Sequence, residues 1–175
     1  SKEGQQVYQK TVGYADVENN VRATDESRYR IGSISKMFTA VLVFKAIEQK
    51  RIGLHQTVDH FFPAVPNSKR LTIFHLLAHR SGLYNFKEED IAGWYTKPKT
   101  EKELMDMMIR AGSSFEPGEK MEYNNSNYVL LTYILEKVFG DSYSDLLEKY
   151  VTAPLGMKNT YFELHSIPNI KEVKA

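Results

Sequence analysis

The chain has 175 residues and a net charge of +1, from 23 Lys+Arg against 22 Asp+Glu, which excludes a strong field for nucleic acid or an anionic membrane surface. Hydrophobic residues make up 42% and charged residues 26%, so a globular domain with a sizeable core is expected. The absence of cysteine excludes a disulfide framework, a thiol nucleophile and any cysteine-based metal site.

No stretch has the run of about 18 uncharged apolar residues that a spanning helix needs. The polar start, Ser1-Lys2-Glu3-Gly4, has no signal-peptide core, so export either does not occur or rests on sequence upstream.

In chain order, Lys2-Glu3-Gly4 reads as a hairpin turn, and residues 5–14, with Val, Tyr and Thr in rough alternation, read as a strand. Residues 15–28 are polar and loop-like, and 29–32 form a short extended lead-in. From Ser33 to about Lys50 the pattern turns helical. Ile34, Met37, Phe38, Val41, Leu42, Phe44 and Ile47 cover most of the circumference, as in a helix buried nearly all round. Residues 71–77 form a short helix closed by Ser81-Gly82. A helix over 100–111 opens with Thr100 and, three residues on, Glu103, a capping-box signature. Residues 113–125 contain Pro117-Gly118 and read as a loop. A helix follows over 126–138 with Gly140 as its stop, and another over 142–151, ended by Pro154 and Gly156. Residues 160–175 are irregular or begin an extended segment.

Ser33-Ile34-Ser35-Lys36 is an S-x-x-K motif at the start of the first long helix. Positions i and i+3 share a helix face, so Lys36 can sit beside the Ser33 hydroxyl. A serine becomes nucleophilic when a neighbouring base takes its proton, and a lysine serves if burial lowers its pKa. A helix N-terminus also offers free N–H groups and a positive dipole end to an oxyanion. About one chance match to S-x-x-K is expected in a chain of this length. The competing reading is a serine N-cap followed by a solvated lysine. Tyr123-Asn124-Asn125 is a Y-x-N at the mouth of the next long helix. Tyrosine there could relay a proton, and asparagine could hold a lysine and a substrate amide together. The competing reading is a packed tyrosine and an Asx helix cap. His75 and His79 have the spacing of a zinc pair, but the residues between them are Leu-Leu-Ala, without the glutamate of H-E-x-x-H, and metal binding is not expected. His55, His60 and His165 are isolated. Tyr128, Leu131, Ile134, Leu135 and Val138 form a core face, and no Gly-rich phosphate loop is present.

Four ordered blocks closely resemble the β-lactamase and penicillin-binding-protein superfamily, in particular class C-like β-lactamases, DD-peptidases and related esterases. They are the segment Arg30 to Ala40, the segment Leu71 to Leu83 with His79-Arg80-Ser81-Gly82-Leu83, the segments Phe115 to Glu119 and Tyr123 to Tyr128, and Pro154 to Thr160. The resemblance implies an α/β (α+β) β-lactamase/transpeptidase-like fold. Its parts here would be sheet strands and loop over 1–32, a nucleophile helix over 33–50, a helical region over 51–160, and the start of a C-terminal part over 161–175.

The resemblance further implies Ser33 as acylated nucleophile, Lys36 as partner for its proton, Tyr123 as general base then acid, and Asn125 as the residue positioning Lys36 and the substrate amide. The Ser33 N–H would form half of an oxyanion hole. The block around His79 is read as structural support. The implied reaction is acyl-enzyme hydrolysis or transfer on a β-lactam, D-alanyl peptide or small ester, without metal or organic cofactor, in the periplasm or outside the cell. The alternative is a non-hydrolytic penicillin-binding sensor, which acylates without turnover, or a binding module on the same scaffold that never acylates. The third family motif, K-T-G or H-x-G on a later strand, is absent from these residues. The resemblance therefore places further sequence after Ala175, and a strand and a helix before Ser1, and expects the chain to need that missing half for activity.

Overall fold

A computed structural model describes residues 2–87, 90 and 99–162. His165 and most of the expected C-terminal segment lie outside these residues. The chain divides into one unit containing Ser1–Ser33 and a second spanning Ile34–Leu164.

In the first unit the strand expected over 5–14 lies elsewhere. β1 (Tyr14–Asp16) pairs antiparallel with β2 (Val21–Arg22), joining Tyr14 to Arg22 and Asp16 to Val21 across an irregular register. The reason is local. Asp16 accepts the Asn19 N–H at 3.1 Å and its side-chain amide at 2.8 Å, an Asx turn that returns the chain beside β1. Residues 5–13 have the composition of a strand but no such return, and Val7, Tyr8 and Val12 stay exposed. Arg22 lies over the Tyr14 ring at 4.5 Å.

The second unit is helical among its described residues. α1 (Ser35–Glu48) begins two residues later than expected, after a 3-10 turn over Gly32–Ile34. Thr39, Leu42, Val43 and Ala46 are buried, whereas Met37, Val41 and Phe44 are exposed by 67%, 52% and 55%. Among the described residues the helix is therefore covered on one side only, where the later helices of this unit pack against it. α2 (Ile73–Leu77) is opened by a capping box between Thr72 and His75. α3 (Glu101–Ala111) opens with the capping box read from Thr100 and Glu103, and buries Leu104, Met105 and Met108.

α4 (Asn125–Phe139) ends at Gly140, in the left-handed conformation at φ 76°, and buries Leu130, Leu131, Ile134 and Leu135. α5 (Tyr143–Leu147), capped by Ser142, passes into a π-helical turn over Glu148–Thr152 where a continuous helix was expected. Leu42, Val43, Leu76, Met108, Leu130, Ile134 and Leu146 share one hydrophobic core. No helix among the described residues is long and apolar enough to cross a membrane.

One close approach ties the loops of this unit. Gly82 has φ +73°, and a Cβ built there would stand 1.9 Å from the Phe115 carbonyl oxygen. Only glycine fits. The segment is further clasped by Ser114 N–H donating to Gly82 O at 2.8 Å.

Candidate active site

Ser33 occupies the middle of the 3-10 turn Gly32–Ile34, which α1 follows directly, and it is exposed. Gly32 takes φ +51°, a left-handed conformation that glycine adopts without strain. The N-cap position of α1 belongs to Ile34, which makes no side-chain cap bond.

Lys36, Tyr123 and Asn125 are brought together in the second unit. Lys36 lies in the first turn of α1 and Asn125 opens α4. The Lys36 Nζ donates to Asn125 Oδ1 at 2.9 Å, across 89 residues of chain. The same Nζ lies 4.9 Å from the Tyr123 ring centroid and 5.7 Å from that of Tyr128. Tyr123 is 47% exposed, so the residue is within reach of solvent.

The helix cap comes from the middle residue of the motif. Asn124 is buried, and its Oδ1 accepts the Ser126 N–H at 2.8 Å. Its Nδ2 donates to Leu83 O at 2.5 Å. With the cap supplied by Asn124, the Asn125 side chain is available to Lys36. Asn85, which sequence reasoning missed, braces both flanks: its Oδ1 accepts the Asn125 N–H at 2.8 Å and its Nδ2 donates to Tyr123 O at 3.4 Å. A single asparagine in a loop carries no spacing signal, so only the folded chain reveals it.

The two candidate zinc histidines have other tasks. His75 Nδ1 accepts the Thr72 N–H at 3.3 Å, and His79 Nδ1 accepts the Asn124 N–H at 3.1 Å. Burial, then the Lys36 charge, holds the His79 pKa below its ordinary value. Burial chiefly lowers that of His75. Burial, then Tyr123, pushes the Tyr128 hydroxyl up. A cavity of about 460 Å³ is lined by Leu147, Thr152, Met157 and Tyr161 among others, and by none of the candidate residues.

A family model described as Beta-lactamase matches residues 1–169. Penicillin-binding protein 4* of Bacillus subtilis is 34% identical over 160 residues, covering 90% of this chain and 35% of that protein. A teichoic acid D-alanine hydrolase of Staphylococcus aureus is 29% identical over 157 residues, covering 87% of the chain and 37% of that protein. The chain thus spans little more than a third of these curated relatives.

Among solved structures, D-amino acid amidase from Ochrobactrum anthropi SV3 matches with a TM-score of 0.85 and 34% identity, over 94% of this chain and 47% of that one. A penicillin-binding protein from Bacillus halodurans matches with a TM-score of 0.79 and 27% identity, over 94% and 51%. The described helices and two-stranded sheet are part of the β-lactamase/transpeptidase fold that these structures share. The match along nearly the whole chain, in sequence and in structure alike, means that this chain belongs to the β-lactamase family.

Proposed function

We propose that the protein is a serine acyl hydrolase or transferase that works through an acyl-enzyme on Ser33. The observation that carries the reading is the bond from Lys36 Nζ to Asn125 Oδ1 at 2.9 Å, with the same Nζ 4.9 Å from the Tyr123 ring centroid. Two motifs far apart in sequence contribute a lysine, an asparagine and a tyrosine side by side, and groups of these types can carry a proton to and from a serine.

In this reading the Ser33 Oγ attacks a carbonyl carbon and its proton passes to Lys36 or Tyr123. The tetrahedral adduct collapses as Tyr123 returns a proton to the leaving amine or alcohol. Water, deprotonated by the same group, then releases the acid and restores Ser33. Asn125 fixes the Lys36 Nζ and offers its amide to the substrate. The Ser33 N–H supplies one donor to the oxyanion, an interaction typically worth about 2.7–4 kcal/mol.

The substrate class is a β-lactam, D-alanyl peptide or small ester. Two relatives, a D-amino acid amidase and a teichoic acid D-alanine hydrolase, favour an acyl group of D configuration. A periplasmic or extracellular location goes with such substrates, and fractionation of the source cells tests it. The parts of the fold assigned above, 1–32, 33–50, 51–160 and 161–175, are retained as part of this proposal.

The test is intact-mass spectrometry of the full-length gene product and its Ser33→Ala variant after exposure to a fluorescent penicillin and to a fluorophosphonate. An adduct on the parent alone supports the reading, and a stable penicillin adduct without turnover turns it into a sensor. Equal labelling of both proteins, or of neither, overturns it.

A further inference from the structure

His79 lies in a conformation that needs an explanation. Its φ is +55°, a left-handed backbone that residues with a side chain adopt at a cost. The surrounding chain holds it there. His79 N–H donates to Leu76 O at 3.2 Å, Arg80 N–H to His75 O at 2.8 Å, and Glu122 N–H to His79 O at 2.8 Å.

The result is a ring set between Tyr123, 4.6 Å away between centroids, and Tyr128, 5.1 Å away. Its Nδ1 accepts the N–H of Asn124, the residue between Tyr123 and Asn125. An imidazole nitrogen accepts only when it carries no proton, so the ring is neutral with its hydrogen on Nε2.

We propose that neutral His79 is a positioning residue for Tyr123 and Asn125, holding the Tyr-x-Asn corner through an acceptor nitrogen that is lost when the ring is protonated. This rests on the acyl-enzyme reading above. His79 touches no reacting atom; it acts through the ring it stacks on and the backbone it anchors.

The groups facing the ring set the direction of the pH effect. They are Lys36 from α1, Tyr123 from the preceding loop and Tyr128 from α4, while the guanidinium of the neighbouring Arg80 donates to Gly118 O at 2.5 Å. Glu122, bonded to the His79 carbonyl, turns its carboxylate to Lys120 at 3.0 Å. Protonation therefore sets one N–H against another at Asn124 and adds a positive charge facing Lys36. Both effects release the corner, so acylation falls on the acid side, below the ordinary histidine value of 6.5.

Two measurements on the full-length gene product test this. Long-range proton–nitrogen NMR reads the His79 tautomer and titration while the Asn124 amide is followed. The rate of Ser33 labelling by the fluorophosphonate is measured against pH for the parent, His79→Asn and His79→Ala. Asparagine tolerates the left-handed backbone and offers an acceptor oxygen that does not titrate.

The expected result is an Nε2–H tautomer, an Asn124 amide that shifts as His79 titrates, and a parent labelling rate that falls over the same pH range. His79→Asn should remove that fall. His79→Ala, folded by circular dichroism, should label roughly tenfold to 100-fold more slowly at neutral pH. An Nδ1–H tautomer, an Asn124 amide blind to the titration, an unchanged acid fall in His79→Asn, or parent-like labelling of His79→Ala each overturns the proposal. Failure of the parent to label, or labelling of Ser33→Ala, counts instead against the acyl-enzyme reading, and the NMR measurement still decides the role of His79.

Discussion

Asn124 and Asn125 are adjacent and chemically identical, yet the fold gives them opposite tasks. Asn124 is buried, caps α4 and ties to Leu83 O. Asn125 accepts from Lys36. Asn124→Ala should therefore cost about 1–3 kcal/mol of stability, read as a lower midpoint in urea. Asn125→Ala should leave that midpoint nearly unchanged and slow Ser33 acylation by roughly 100-fold, read by stopped-flow fluorescence. Sequence alone left the cap and the lysine contact as rival uses of one motif; the structure divides them between neighbours. His75 and His79 carry a further consequence. Both pKa values lie below 6.5 in the folded protein, so the unfolded chain binds more protons just below that pH. Their contribution is complete above 6.5 and is lost as pH falls below it. The melting temperature should decline on acidification through that range, and the decline should shrink in a His75→Gln, His79→Asn double variant.

At the scale of elements, legibility followed locality. The capping box at Thr100 and Glu103 and the Gly140 stop are written within a few residues of the helix ends they define, and the sequence is enough to place them. Thr100→Ala should cost about 1 kcal/mol and Thr100→Ser much less, measured by chemical denaturation. The strand expected over 5–14 failed because a strand exists only beside a partner, and composition says nothing about where the partner lies. Gly82 shows the same limit in another form. It looks like a helix stop in sequence, but its need for glycine comes from Phe115, far along the chain. Gly82→Ala should lower the melting temperature by several degrees, because the added methyl overlaps a backbone oxygen and the left-handed conformation adds strain of about 1–2 kcal/mol.

For the molecule as a whole, α1 is the informative element. Its apolar residues surround the helix, and periodicity read that as burial on every side. Among the described residues only one side is covered, and Met37, Val41 and Phe44 form an exposed apolar stripe. A stripe of that kind on a free surface attracts other apolar surfaces. The 175-residue chain expressed by itself should bind a hydrophobic dye and self-associate, and Met37→Gln, Val41→Thr and Phe44→Gln together should reduce both, as seen by dye fluorescence and light scattering. Residue chemistry alone offered Asn125 as a holder for some lysine; family resemblance was needed to name Lys36, since no periodicity links positions 89 residues apart.

That meeting joins the first turns of two core helices, not two loops. Side chains on such turns stay in register while the helices behind them stay packed, whereas loop sites open on their own. The lysine–asparagine pair should therefore survive warming until α1 and α4 separate, so that heat removes it only together with the core.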